Sequence, residues 1–229
     1  MTGRIDETDL SAPLVAGLAE RFGDEAPLAL ALLPHAVPSG DGAHDIAHIL
    51  RVWTSAAAIH AVEGGERRVL AAAVLLHDCV SVEKNAPDRA FASRRAATRA
   101  GELLAALGWD AAAIERVRHA IAAHSFSAGI APQTIEAEIL QDADRLDAIG
   151  WIGVARCFYI AGRLGSALYD PVDPRAEARP LADASFALDH FPAKLLKLAG
   201  GFKTTTGRRM AAERDARLRR FMEGMLAEI

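Results

Sequence analysis

The chain has 229 residues, half of them hydrophobic (51%), enough apolar material for one sizeable core, and its net charge of −4 excludes a global attraction for polymeric nucleic acid or anionic membrane. Its two cysteines, Cys79 and Cys157, share no CxxC spacing, which argues against a disulfide framework and points to a reduced, cytoplasmic setting. No apolar run reaches the roughly 18–20 residues of a membrane span, and the polar start MTGRIDETDLSAPL lacks the apolar stretch of a signal peptide.

Helix signals dominate in chain order. SAPLVAGLAERF opens with Ser11 as a candidate N-cap and Pro13 in the first turn. Pro34, Pro38 and SGDG make a loop, after which apolar spacing resumes at Ile46, Ile49, Leu50, Trp53 and Ala57. GGE at 64–66 ends that helix, and RRVLAAAVLLHD predicts a short buried one. CVSVEKNAP reads as a loop; the next helix has Pro87 near its start and Gly108 as its stop. Asp110 caps DAAAIERVRHAIAAH, and Thr134 caps a long run from Ile135 through IEAEILQDADRLDAIGWIGVARCFYIAG. YDPVDPRAEARPLAD (169–183) is a Pro-rich, charged excursion, followed by helices over FALDHFPAKLLKLA and TTGRRMAAERDARLRRFMEGMLAEI. The expectation is an all-α fold of roughly eight to ten helices, on pattern and capping arguments.

Imidazole and carboxylate come together at four places. His44-Asp45-x-x-His48 puts two histidines on one helix face, although a core histidine bonded to backbone is the more ordinary account of that pattern taken alone. His77-Asp78 ends the most apolar helix, where an ionised aspartate carries a large desolvation cost without a cation or partner. QDADRLDAIG holds Asp142, Asp144 and Asp147 among apolar residues, with Arg145 beside them. His119 and His124 are five apart, which keeps them off a common face, and a surface and a helix-end role account for them as well as metal binding does. A mixed nitrogen and oxygen site of such residues suits Mn, Mg, Fe, Co, Ni or Zn without choosing among them.

The order of these residues resembles the HD-domain metal-dependent phosphohydrolases, and the blocks HDIAHILRVW, LLHDCVSVEKNAPDRAFAS, AIAAHSFSAGIAP, QDADRLDAIGWIGVAR and HFPAKLLKL resemble the YedJ/YpgQ-like bacterial branch from about residue 40 onward. The resemblance implies an HD-domain helical bundle in a single domain, with an N-terminal segment over 1–40, a core over 41–165 and a helical C-terminal extension over 166–229. It implies that His48, His77, Asp78 and Asp144 bind a divalent ion, with His44, Asp45 and Asp142 supporting them. It also implies a metal-activated water attacking phosphorus, with Glu83 or His124 moving the proton. Lys84, Asn85, Arg89, Arg145 and Lys194 are the candidates for holding substrate phosphate. The stringent-response and deoxynucleoside monophosphatase branches carry a glutamate where this chain has Ser81, so those activities are disfavoured. The expected reaction is hydrolysis of a nucleotide-like phosphate, with triphosphate to monophosphate plus pyrophosphate favoured. The alternatives are another phosphomonoesterase or phosphodiesterase activity, an iron oxygenase on two metals, and a non-catalytic metal- or nucleotide-binding module. The expected partner is a small phosphate substrate, with no polymeric nucleic acid and no membrane, and a homodimer is compatible with all of this.

Overall fold

The computed structural model describes residues 12–36, 45–80, 91–125 and 128–229. Their regular structure is helical, joined by one isolated bridge between Ala167 and Phe186. The chain divides into two compact units, 1–143 and 144–229.

In the first unit, α1 (Ala12–Ala19) and α2 (Ala26–Leu32) precede α3 (Ile46–Glu63), α4 (Arg67–Leu76), α5 (Ala92–Ala106) and α6 (Ala111–His124). α4 is its centre. Every residue from Val69 to Leu76 is fully buried, as the unbroken apolar run predicts. Each of its buried leucines contributes about 2 kcal/mol of transfer free energy. α2, α3, α5 and α6 surround it. α5 and α6 approach closely at Gly101, where an added Cβ would stand 2.8 Å from Arg118 Cδ. Trp53 of α3 stacks on Phe22 with centroids 4.7 Å apart and donates its indole N–H to the Arg21 carbonyl. The Arg67 guanidinium lies 5.0 Å over the same indole, so one tryptophan joins three segments.

The caps read from sequence explain several helix starts. Asp110 accepts from the Ala113 N–H at the head of α6, and Thr134 accepts from the Ala137 N–H at the head of α7 (Ile135–Asp147). Gly108 follows α5 at φ 76°, the left-handed stop that glycine adopts without strain. Pro87 and Ser11 lie outside the described residues.

The long helix expected from Ile135 onward is two helices, α7 and α8 (Gly150–Leu164). Ile149 is extended and Gly150 has φ 74°, which breaks the run. Gly153 permits the break: a Cβ there would meet the Ala148 carbonyl oxygen at 2.3 Å. The helix expected over FALDHFPAKLLKLA is also shorter. Only His190–Ala193 is α-helical (α9), followed by a 3₁₀ stretch over Leu195–Gly201. Pro192 cannot supply the amide hydrogen a longer helix would need.

In the second unit, α8 packs on α10 (Thr205–Ala227), whose N-terminus is capped by Thr204 accepting from the Gly207 N–H. Phe158, Phe191 and Phe221 cluster with centroids 5.7–6.1 Å apart. The 169–183 excursion is ordered by Arg179. Its guanidinium bonds both carboxylate oxygens of Asp189, pairs with Asp170 at 2.9 Å and covers the Phe186 ring. No helix among the described residues is long and apolar enough to cross a membrane.

Candidate metal centre

Three helix ends of the first unit build the site. At the head of α3, Asp45 is extended and its carboxylate accepts the His48 N–H at 2.9 Å. This cap fixes the first turn and therefore the direction in which the fully buried His48 leaves the helix.

At the foot of α4, His77 donates its Nδ1–H to the Val74 carbonyl at 2.8 Å. A carbonyl only accepts, so the proton sits on Nδ1 and the Nε2 lone pair points away. The same bond satisfies one of the carbonyls left open at a helix C-terminus. His124 ends α6 in the same manner, with Nδ1 on the Ile121 carbonyl at 2.6 Å. Gln141 of α7 donates its side-chain amide to the Ala123 carbonyl and ties the end of α6 in place.

These constraints make the rings converge. His48 Nε2 and His77 Nε2 are 3.2 Å apart, and Asp78 Oδ2 stands 3.7 and 3.6 Å from them. An ion bonded at about 2.1 Å to two imidazoles sets their nitrogens about 3.0 Å apart at right angles and about 3.4 Å apart at the tetrahedral angle. The 3.2 Å between the two nitrogens falls in that interval, and Asp78 Oδ2 stands slightly wider, so the trio could hold a divalent ion with a small movement of the carboxylate. The His77 ring is oriented for this through its Nδ1, as metal-binding imidazoles usually are through the nitrogen that does not ligate. Both histidines are buried, whereas the Asp78 side chain is 30% exposed, so the site opens to solvent on the carboxylate side. The other oxygen of Asp78, Oδ1, lies 3.8 Å from His124 Nε2.

The remaining candidates are distributed as follows. Asp144 is half-buried near the end of α7 and belongs to the second unit. Asp142 is fully buried on the same helix. Asp147 is paired with Arg156 at 2.6 Å. Arg145 is half-buried and donates to the Gly201 carbonyl at 2.7 Å, within the second unit. Lys194 is exposed beside α9. His119 points elsewhere and accepts the Gln133 N–H at 2.9 Å. His44, Glu83, Lys84, Asn85 and Arg89 lie outside the described residues. His124 stands beside the end of α4, a neighbour that is not adjacent in sequence.

The HD domain family model matches residues 45–149. The Bacillus subtilis protein YpgQ is 33% identical over 190 residues, spanning 81% of this chain and 84% of its own. The crystal structure of YpgQ in complex with ADP superposes with a TM-score of 0.65 at 30% identity, covering 86% of this chain and 93% of that one. An HD-superfamily hydrolase from Bacillus thuringiensis covers 95% of both chains with a TM-score of 0.64 at 27% identity. Matching these relatives over most of its length, and presenting the paired histidines and the aspartate at its helix ends, the chain belongs to the HD-domain superfamily of metal-dependent phosphohydrolases.

Proposed function

We propose that the chain hydrolyses a nucleotide-like phosphate and, within that class, cleaves a nucleoside triphosphate to the monophosphate and pyrophosphate. The observation that supports it most directly is the convergence of His48 Nε2, His77 Nε2 and Asp78 Oδ2. The complex of YpgQ with ADP supports the nucleotide class. Asp144 is assigned as the fourth ligand, His44, Asp45 and Asp142 as residues that orient the ligands. Lys84, Asn85, Arg89, Arg145 and Lys194 are assigned to the substrate's phosphates.

A bound divalent ion supplies Lewis-acid polarisation of a phosphoryl oxygen and lowers the pKa of a water. In the reaction a water oxygen bonds to the α-phosphorus. The bond from that phosphorus to the bridging oxygen breaks, with its electron pair leaving on pyrophosphate, and the water gives up a proton. His124 and Glu83 are the groups assigned to that proton. The buried imidazoles keep bulk water off one side of the centre, and the exposed side of Asp78 faces the entry.

A second arrangement has one observation in its favour. Asp78 faces His48 and His77 with one oxygen and His124 with the other, so it has an oxygen for each of two ions. Metal analysis separates the two: one ion per chain selects the mononuclear site, two the dinuclear one.

The test is a nucleotide panel assayed with several divalent metals, with phosphate and pyrophosphate resolved. Release of pyrophosphate above a His77→Ala control supports the proposal. Release of orthophosphate alone, or turnover of no nucleotide, overturns it.

A further inference from the structure

α6 ends in hydrogen bonds from side chains. The last carbonyls of a helix have no amide partner within it. Here three in succession accept from side chains: Ile121 from His124 Nδ1, Ala122 from the Ser93 hydroxyl at 3.1 Å, and Ala123 from the Gln141 amide. Ser93 lies in the first turn of α5 and is 3% exposed. A buried hydroxyl has to find an acceptor. The acceptor it finds is a carbonyl two residues before His124.

The same turn of α5 holds the other side of the centre. Ala96 follows Ser93 by one turn and is also buried. Its carbonyl accepts the thiol of Cys79, the residue after Asp78, at 3.6 Å. Ser93 and Ala96 therefore join the foot of α6 to the foot of α4. A thiol is a weak donor, so the serine bond is the stronger of the two ties.

Between these feet, Asp78 Oδ1 and His124 Nε2 stand 3.8 Å apart. His124 gives its Nδ1 proton to the Ile121 carbonyl, so in the neutral ring Nε2 turns a lone pair toward the carboxylate. Two electron-rich atoms do not hold that separation by attraction to each other. The backbone on which each is mounted sets it, and one turn of α5 is bonded to both pieces of backbone.

The geometry points to Ser93 as a positioning residue: through the Ala122 carbonyl it fixes the end of α6, and with it the place of His124 Nε2 against Asp78. Its effect on turnover rests on the proton-transfer role given to His124 in the function proposed above. Its effect on the His124–Asp78 distance does not.

The experiment compares the wild type with Ser93→Ala and Ala100→Gly. The second change weakens the same buried face of α5 two turns on without touching the Ala122 bond, and so controls for lost stability. Kinetics are measured with manganese and each ribonucleoside triphosphate, well below every melting transition. Crystal structures give the Asp78 Oδ1–His124 Nε2 distance. In Ser93→Ala, kcat should fall at least about tenfold and the distance should lengthen by on the order of 1 Å. KM and manganese affinity should change less than about twofold, because the Cys79 bond beside Asp78 is kept. Ala100→Gly should keep both its kcat and its distance. An unchanged kcat in Ser93→Ala, an equal loss in Ala100→Gly, or an unmoved His124 overturns the proposal. If Ser93→Ala does not fold, Ser93→Cys, a weaker donor of similar size, takes its place with the same outcomes. If the wild type hydrolyses no nucleotide, the function proposed above falls, and the distance alone decides the role of Ser93.

Discussion

His48 Nε2 faces His77 Nε2 at 3.2 Å, although the two residues are 29 apart in sequence, one in the first turn of α3 and the other at the foot of α4. Because the Nδ1 of His77 is committed to the Val74 carbonyl, its Nε2 presents a lone pair to His48. Two buried imidazoles held in this way offer a ready-made pair of nitrogen ligands, and the Asp78 carboxylate beside them supplies the negative charge a divalent ion needs.

Asp45 acts on this pair through the backbone. Asp45→Ala removes the cap on the His48 N–H and should cost about 1 kcal/mol of stability. It should also weaken metal binding severalfold, and Asp45→Asn should restore both. His44→Ala should leave the metal in place. Thermal melts and metal titration check this; an Asn variant as impaired as the Ala variant would show that Asp45 acts through its charge and not through the cap.

Gln141 is the link between α7 and the end of α6. Gln141→Leu leaves the fully buried Ala123 carbonyl without its donor, at a cost of about 1–3 kcal/mol. His124 follows Ala123 directly, so turnover should fall further than stability alone explains. Melting curves together with kcat at a temperature well below the transition test this. An unchanged kcat in a folded variant would remove His124 from the reaction.

The secondary structure was legible wherever a local rule decided it. Asp110, Thr134 and Gly108 mark helix ends in the sequence, and α4 announced its burial by an unbroken apolar run. The break between α7 and α8 was not legible, because the apolar pattern continues across it. The decisive facts are the φ of Gly150 and the room that Gly153 leaves for the Ala148 carbonyl. The doublet at His77-Asp78 stood out in the sequence because an acid follows so apolar a helix. The position of His124 depends on α6 ending beside α4, a tertiary fact that spacing does not encode.

Both thiols should be inert in the folded protein. Burial, aided by the Asp78 charge and opposed by Arg99, pushes the Cys79 thiol up to about 11. Burial and then Asp183 bring Cys157 to about 11 as well. At pH 8 only about one molecule in a thousand carries either thiolate. Ellman's reagent should label neither at that pH until denaturant is added. Rapid native labelling of one thiol would contradict the burial.

Arg179 should govern the order and acid tolerance of the 169–183 excursion. Its hydrogen bond holds the Asp189 carboxyl below its ordinary value of 3.8. The stability from this pair is therefore full above about pH 3.8 and is lost as pH falls through the lowered value. In Arg179→Gln the nearly buried Asp189 has lost its cation, so acid unfolding should begin at higher pH. Limited proteolysis should also cut between residues 170 and 182 sooner than in the wild type. Identical acid midpoints and cleavage rates would show that the excursion is ordered by other contacts.

Whether His48, His77 and Asp78 hold the catalytic ion is read from manganese titration of the wild type and of His48→Ala and His77→Ala, each confirmed folded by its melting curve. The wild type should bind manganese, and each substitution should weaken binding by at least about a hundredfold, because it removes a ligand and not merely its support. Wild-type manganese affinity in either folded variant would contradict that assignment.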